Sequence, residues 1–248
     1  MNMALDEVLL QRKSDIPTLR FYEWDTPSVS IGMAQSVDKH INVNHCRTEG
    51  VPVFRRLTGG KAVLHDNELT YSLTGSKKAL PFSLSLLDAY CEIGKAFCHG
   101  LKKLGIGAIL AERNTPPLKG MISSCFAAAS SYEVTVAGKK MLGSAQKRTQ
   151  DKVLQHGSLL FKYNASAWAN VMKNSPENMQ NKATDLQSHL SPLPSVAQIH
   201  QALCDGFQAV FGIKFERNEY TKSEYSLAIK LAKEKYFNLA DCLDNNCD

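Results

Sequence analysis

Apolar and polar positions along this chain keep two periods, and the switch between them marks out its elements. Residues 1–10 set Met3, Ala4, Val8 and Leu9 at helical spacing, which predicts a helix from the start of the chain with Asn2 as its cap. Alternation at 18–23 (TLRFYE) and 28–33 (SVSIGM), around the turn Trp24-Asp25-Thr26-Pro27, predicts two strands, and 37–47 reads as a short surface helix. Strands follow at 52–57, 61–65 and 68–74, joined by Thr58-Gly59-Gly60 and Asp66-Asn67. Lying so close in sequence, these three are expected to pair as an antiparallel meander. The clearest helix covers 83–104, where Leu84, Leu87, Ile93, Phe97, Leu101 and Leu104 form a stripe that Ser83 can cap and Gly105 can end.

A strand at 106–111 leads into a polar, proline-containing loop over 113–123 that delivers Cys125, and a further strand is predicted at 131–136. Ala137-Gly138-Lys139 turns the chain back into 140–146 as a hairpin, and 153–161 continues the sheet. Beyond residue 165 the pattern is helical at 195–211 and 221–236, with a long polar loop at 173–193 and a tail over the last dozen residues. The expectation is one α+β domain over 1–248, a mixed, largely antiparallel sheet flanked by helices. Its motif-bearing core is 1–165, its helical part 166–236 and its tail 237–248.

Composition narrows the function classes. With 248 residues and 44% hydrophobic content the chain can bury a full-sized core. No apolar run approaches the roughly 20 residues of a membrane span, and Asp6 and Glu7 stand where a signal peptide would be cationic, so a cytoplasmic protein without a membrane partner is expected. Seven cysteines without a CxxC pair suit a reducing compartment. Cys91 and Cys98 sit seven apart on the predicted helix, roughly 10 Å by its rise, too far to bridge. A net charge of +5, with both signs throughout, is too mild for nucleic acid but favours encounters with small acidic proteins.

Candidate chemistry concentrates in residues 55–65, RRLTGGKAVLH. Gly60-Lys61 resembles the end of a phosphate-binding P-loop, but Arg55 stands where its first glycine belongs and Ala62 follows the lysine, so a P-loop is excluded. Two readings remain. Gly59 and Gly60 let the backbone approach a ligand, with Arg55, Arg56 and Lys61 nearby for a carboxylate, phosphate or phosphopantetheine; or Gly-Gly is a hairpin turn among solvated cations. Cys125 differs from the other cysteines in following Ser123-Ser124 in a loop, where a thiol can be exposed. A nucleophilic thiol needs a cation to lower its pKa, and Lys140, one strand and a turn away, is the candidate, unless Lys139 and Lys140 are exposed hairpin charges. His65 and His156 are candidate general bases or hydrogen-bond donors, or else satisfied polar residues at strand ends. Cys125, His65 and His156 make no local zinc pattern, so no metal is expected.

Taken together, RRLTGGKAVLH, ELTYS, SSCF, SYEV, GKKMLGSAQKR and LQHGSLL resemble, in order and spacing over residues 1–160, the catalytic domain of the biotin and lipoate protein ligase superfamily. NMALDE and RFYEW belong to the same pattern. The match looks closest to the cysteine-dependent octanoyltransferases, which move octanoyl from acyl carrier protein to the lysine of a lipoyl domain such as glycine-cleavage H protein. The resemblance implies an α+β fold of the class II aminoacyl-tRNA synthetase and biotin ligase type. It implies Cys125 as nucleophile and Lys140 as the invariant active-site lysine. Its substrate-binding set would be Arg55, Arg56, Thr58, Gly59, Gly60, Lys61, His65, Gly143, Ser144, Ala145, His156 and Gly157. Lys140 would polarise the thioester carbonyl, helped by backbone N–H groups near Gly143-Ser144. No cofactor is implied; ATP and Mg would enter only for an ATP-dependent lipoate ligase. Such ligases usually carry a third glycine where this chain has Lys61, and they lack SSCF. A lipoyl-domain amidotransferase uses the same chemistry, while a non-catalytic paralogue is disfavoured by retention of both Cys125 and Lys140. Two departures from the pattern stand out. Residues 126–130 are FAAAS where the octanoyltransferases usually have an Asp and a Pro, and the family's strand before NMALDE has no counterpart, so the chain starts upstream or the sheet is one edge strand short.

Overall fold

A computed structural model describes residues 1–111, 132–174 and 181–242. The first helix, α1 (Asn2–Gln11), is followed by β1 (Thr18–Tyr22), β2 (Ser28–Ile31), α2 (Val37–His40), α3 (Val43–Thr48), β3 (Val53–Arg55), β4 (Val63–His65) and β5 (Glu68–Ser76). Then come α4 (Leu86–Lys103), β6 (Ile109–Leu110), β7 (Val134–Val136), β8 (Lys139–Arg148), β9 (Lys152–Leu160), α5 (Ala165–Val171), α6 (Val196–Phe211), α7 (Lys222–Glu234) and α8 (Leu239–Cys242). The α+β character and the largely antiparallel pairing are as expected. The single sheet is not: strands divide into a six-stranded sheet, β1-β5-β9-β8-β7-β6, and a three-stranded one, β3-β2-β4.

The expected meander over residues 52–74 is overturned. β2 inserts between β3 and β4, parallel to the first and antiparallel to the second, while β5 leaves for the large sheet to lie between β1 and β9. The physical reason is the link over residues 56–62. It is too long for a two-residue hairpin, and Arg56 folds it back on itself instead of closing a ladder. The hairpin between β7 and β8 forms as expected, with Ala137 (φ 49°) and Gly138 (φ 75°) both left-handed as a primed turn requires.

One face of the large sheet packs under α4 and α6, where Leu69, Tyr71, Leu73, Leu142 and Leu159 meet Ile93, Phe97, Leu101, Leu203 and Phe207. The opposite face carries Thr70, Ser72, His156 and Ser158, all buried, and receives α1. Polar side chains buried on that face must find partners from the same chain, and this places the candidate site there.

Several boundaries shift for local reasons. Met1, not Asn2, occupies the N-cap of α1, and the Asn2 amide donates to the Glu23 carbonyl (3.1 Å). Residues 37–47 break at Ile41, which bridges Met172, and Val37, Ile41 and Cys46 are buried, so the segment is not a surface helix. Ser85, not Ser83, caps α4 by accepting from the Asp88 N–H, which leaves Leu84 outside the helix and Leu87 exposed. Part of the tail folds: α8 buries Ala240, whose carbonyl accepts from Arg47 (2.7 Å). Cys46, Cys91, Cys98 and Cys204 are free thiols. No helix among the described residues is long and apolar enough to cross a membrane.

Candidate active site

Arg56 is the hub. It is buried, and each of its five N–H donors has an acceptor within the chain. Nε donates to Thr58 Oγ1 (3.1 Å), Nη1 to the Ser30 carbonyl (3.0 Å) and Ser30 Oγ (3.3 Å), and Nη2 to the carbonyls of Gly59 (2.8 Å) and Lys61 (2.7 Å). The guanidinium thus pins the Gly-Gly turn instead of presenting donors to a ligand anion, which corrects its expected role. Arg55 likewise turns inward, donating through Nη1 to the carbonyls of Gly32, Met33 and Gln35. The loop is not a plain hairpin turn among solvated cations: both glycines are exposed on a turn held from beneath, and Arg55 and Arg56 donate to backbone carbonyls of the chain. Gly60 has φ +88°, and a Cβ on Gly32 would lie 2.0 Å from the Gly60 carbonyl oxygen, so the turn needs glycine at both places.

Two buried acids stand behind the hub. Asp6 of α1 accepts from Arg20, from Tyr22 Oη (2.9 Å) and from Ser72 Oγ (2.6 Å), and its Oδ2 lies 3.7 Å from His156 Nδ1. At 3.7 Å that last pair is an electrostatic contact, beyond hydrogen-bond reach. Burial alone would raise the Asp6 pKa, but His156, Arg20 and Ser72 outweigh it and hold the carboxyl below its usual range. Burial lowers the His156 pKa against the pull of Asp6, so the imidazole is neutral near pH 7. Its Nε2 sits 2.7 Å from Thr58 Oγ1. On the other side Glu68 Oε1 lies 3.0 Å from His65 Nδ1, and His65 Nε2 lies 2.8 Å from Ser30 Oγ. Trp24 stacks on the His65 ring, centroids 4.2 Å apart, and donates to Thr70 Oγ1 (2.9 Å), which in turn donates to Glu68 (2.5 Å).

Met3, Ser30, Arg56, Val63, His65, Thr70, Gly143, Ser144, Ala145, His156, Gly157 and Ser158 enclose a narrow cavity of about 20 Å³, room for one water. Seven expected site residues therefore converge: Arg56, His65, Gly143, Ser144, Ala145, His156 and Gly157. Thr58 joins through His156, and Gly60 through Ala145, whose Cβ lies 3.6 Å from an ideal Cβ on Gly60. Ser144 Oγ lies 2.8 Å from Tyr71 Oη, which fixes it toward the helical layer. A larger cavity of about 800 Å³ opens by the β7–β8 turn, lined by Lys139, Lys162, Asn164, Asp185 and His189 among others, and shares no lining residue with the first.

Lys140 is not an exposed hairpin charge. It is 1% exposed, and Nζ donates to Glu133 Oε1 (2.5 Å), a partner the sequence reading did not single out. The Lys140 backbone is fixed on both sides, N–H to Lys182 and carbonyl from Thr184 (both 2.9 Å). Lys140 does not line the narrow cavity, and Cys125 lies outside the described residues. Asp6, Ser30, Glu68 and Glu133 were the functional candidates sequence reasoning missed. At Asp6 and Ser30 the available signal was a polar residue inside an apolar run, which needs a buried partner, whereas Glu68, directly after Asp66-Asn67, carried no such signal. Among the described residues no cluster of three His, Cys, Asp or Glu could hold a metal ion.

Residues 1–208 match the family model described as the lipoyl protein ligase A/B catalytic domain. The chain belongs to that family. Among curated relatives of this lipoyl ligase-type chain, the octanoyltransferase LipM of Carboxydothermus hydrogenoformans is 39% identical over 247 residues, covering 95% of this chain and 91% of that one. The octanoyltransferase LipM of Bacillus subtilis is 34% identical over 251 residues, covering 95% and 90%. Among solved structures, a lipoate-protein ligase A bound with ATP superposes with a TM-score of 0.80 at 25% identity, covering 94% of this chain and 89% of that one. A bipartite lipoate protein ligase of Thermoplasma acidophilum, determined with its E2 lipoyl domain, gives 0.76 at 24% identity, covering 94% and 87%, which supports the fold.

Proposed function

We propose that this protein is an octanoyltransferase of protein lipoylation, carrying octanoyl from acyl carrier protein through a thioester on Cys125 to a lysine of a lipoyl domain. The observation that carries the reading is the identity of 34–39% to octanoyltransferases named LipM over at least 93% of the chain. The Cys125 thiolate attacks the octanoyl thioester carbonyl and expels the carrier's pantetheine thiolate. The lipoyl-domain amine then attacks the acyl-enzyme, expels Cys125 and leaves an amide, a downhill sequence that needs no ATP. Lys140 supplies positive charge to each tetrahedral oxyanion. Its buried pairing with Glu133 supports that role, because a cation already oriented in a dry site needs no reorganisation when charge develops.

The positive net charge of +5 suits an acidic carrier as donor, and glycine-cleavage H protein is the proposed acceptor. The ligase bound with ATP, at 25% identity, favours a second reading, in which a free acid is activated by ATP and Mg. The two separate in one assay. Apo H protein is incubated either with octanoyl-acyl carrier protein or with octanoate, ATP and Mg, and its mass is measured. Octanoylation in the first mixture alone supports transfer; octanoylation in the second alone makes the protein a ligase.

A further inference from the structure

Lys140 owes its side of the sheet to a break in its strand. Pairing sets Val134 opposite Leu142 but Thr135 opposite Lys140, so Met141 is one residue too many on β8, a bulge. Side chains alternate along a regular strand, which would put Lys140 on the same side as Leu142, in the apolar layer under α4 and α6. The bulge breaks that alternation. Met141 and Leu142 both enter the apolar layer, where Val134 and Val136 of β7 meet them, and Lys140 turns to the other side with Thr135. This is the face on which Ala145 pairs with His156 and Gly143 with Ser158. The strand changes partner at the same place: its ladder with β9 runs from Arg148 back to Leu142, and Lys140 instead makes a parallel bridge to Ala183.

Glu133 meets Lys140 on that face. It directly precedes β7 and, two residues before Thr135, points to the Thr135 side, while Val134 and Val136 point to the helices. Its carbonyl accepts from the Ala111 N–H (2.8 Å), which continues the β6–β7 ladder, and its Oε1 accepts from Lys140 Nζ (2.5 Å). We infer that Glu133 is a positioning residue for acyl transfer, acting through Lys140, and that the bulge at Met141 is the backbone device that brings the pair together. Backbone bonds to 182–184 fix where the lysine starts but not where its ammonium ends, because the stem between them is flexible. A carboxylate held on the neighbouring strand fixes the far end before any substrate arrives. Glu133 does this without touching substrate itself.

The inference rests on the acyl-transfer reading, with Lys140 as its cation, for the kinetic arm only. The first measurement is NMR of the lysine ammonium groups of the full chain at neutral pH, with Lys140 assigned by its loss in Lys140→Arg. A slowly exchanging Lys140 ammonium is expected; its absence from wild type overturns the pairing. The second compares octanoyl transfer from octanoyl-acyl carrier protein to apo H protein by wild type, Glu133→Gln and Glu133→Asp. Gln keeps the reach of the acceptor oxygen and loses the charge, whereas Asp keeps the charge and draws the oxygen back by one methylene. If the role is to place Nζ, kcat falls about 100-fold in Glu133→Asp and stays near wild type in Glu133→Gln, with KM for the carrier little changed in both. Wild-type kcat in Glu133→Asp, or a loss in Glu133→Gln as large as in Glu133→Asp with both folded by circular dichroism, overturns the positioning role. If wild type transfers no octanoyl at all, the functional reading fails by itself, and the ammonium signal still decides whether the pair is built as described.

Discussion

Replacing Asp6 by Asn tests the buried scaffold with little change of shape. Asp6 is 1% exposed, and its carboxylate takes Arg20, Tyr22 Oη (2.9 Å) and Ser72 Oγ (2.6 Å) while facing His156 Nδ1 at 3.7 Å. The amide keeps one acceptor oxygen and puts an NH2 where Oδ2 met Tyr22 and His156. It also leaves the Arg20 guanidinium without its counter-charge. Removing one partner of a buried pair costs about 3–5 kcal/mol. Arg20 keeps 13% side-chain exposure and packs over the Tyr22 ring at 4.4 Å, which softens its loss. The expected cost is therefore about 3 kcal/mol, the low end of that range, read as a shift in urea midpoint at constant slope. The pH dependence has a definite sign. The folded-state pKa of Asp6 is lowered, so its stabilisation is full above the unfolded value and is lost as pH falls through the folded one. The gap between wild type and Asp6→Asn should be complete at pH 7 and close below about pH 4. A loss under about 1 kcal/mol at pH 7, the worth of an exposed pair, would refute the claim that Asp6 anchors this face of the sheet.

Gly157→Ala would place a methyl 2.3 Å from the Gly143 carbonyl oxygen and 2.6 Å from Tyr71 Cε1. Since β8 and β9 are locked in register there, thermal unfolding should show at least 1–3 kcal/mol of destabilisation, and an unchanged midpoint would contradict the packing. Lys140→Met is expected to abolish octanoyl transfer and, by stranding the Glu133 carboxylate, to cost on the order of 3 kcal/mol in urea unfolding; full activity in this variant would remove Lys140 from the mechanism. Burial pushes the Cys46 thiol up to about 11, two units above its ordinary 9.0. Its alkylation by iodoacetamide in native protein should therefore run about 100-fold slower than in urea, and equal rates would show the thiol to be accessible.

The sequence announced the elements better than their partners. Amphipathic period alone located α4, α6 and α7, and the 137–139 turn located the β7–β8 hairpin, because these are local patterns. β2 gave no sign that it would separate β3 from β4: pairing between strands is decided by burial across the fold, and four-residue SVSI is compatible with either order. The site was legible as residue types gathered in short motifs, and seven of them do surround one cavity. Their roles were less legible. Arg56 looks like an anion binder in sequence because its five acceptors, two hydroxyls and three carbonyls, come from backbone and side chains that no periodicity reveals. Asp6 and Glu133 were hidden for the same reason, since an acid inside an apolar run declares its burial but not its cation.

The central claim is a covalent octanoyl-enzyme on Cys125, and intact-mass spectrometry tests it most directly. Enzyme is mixed with octanoyl-acyl carrier protein in the absence of acceptor and of ATP, and the modified peptide is sequenced. The account predicts one octanoyl group on the peptide containing Cys125, absent from Cys125→Ser and discharged when apo lipoyl domain is added. An unmodified enzyme that still octanoylates the acceptor, or a Cys125→Ser variant with wild-type transfer, would contradict it.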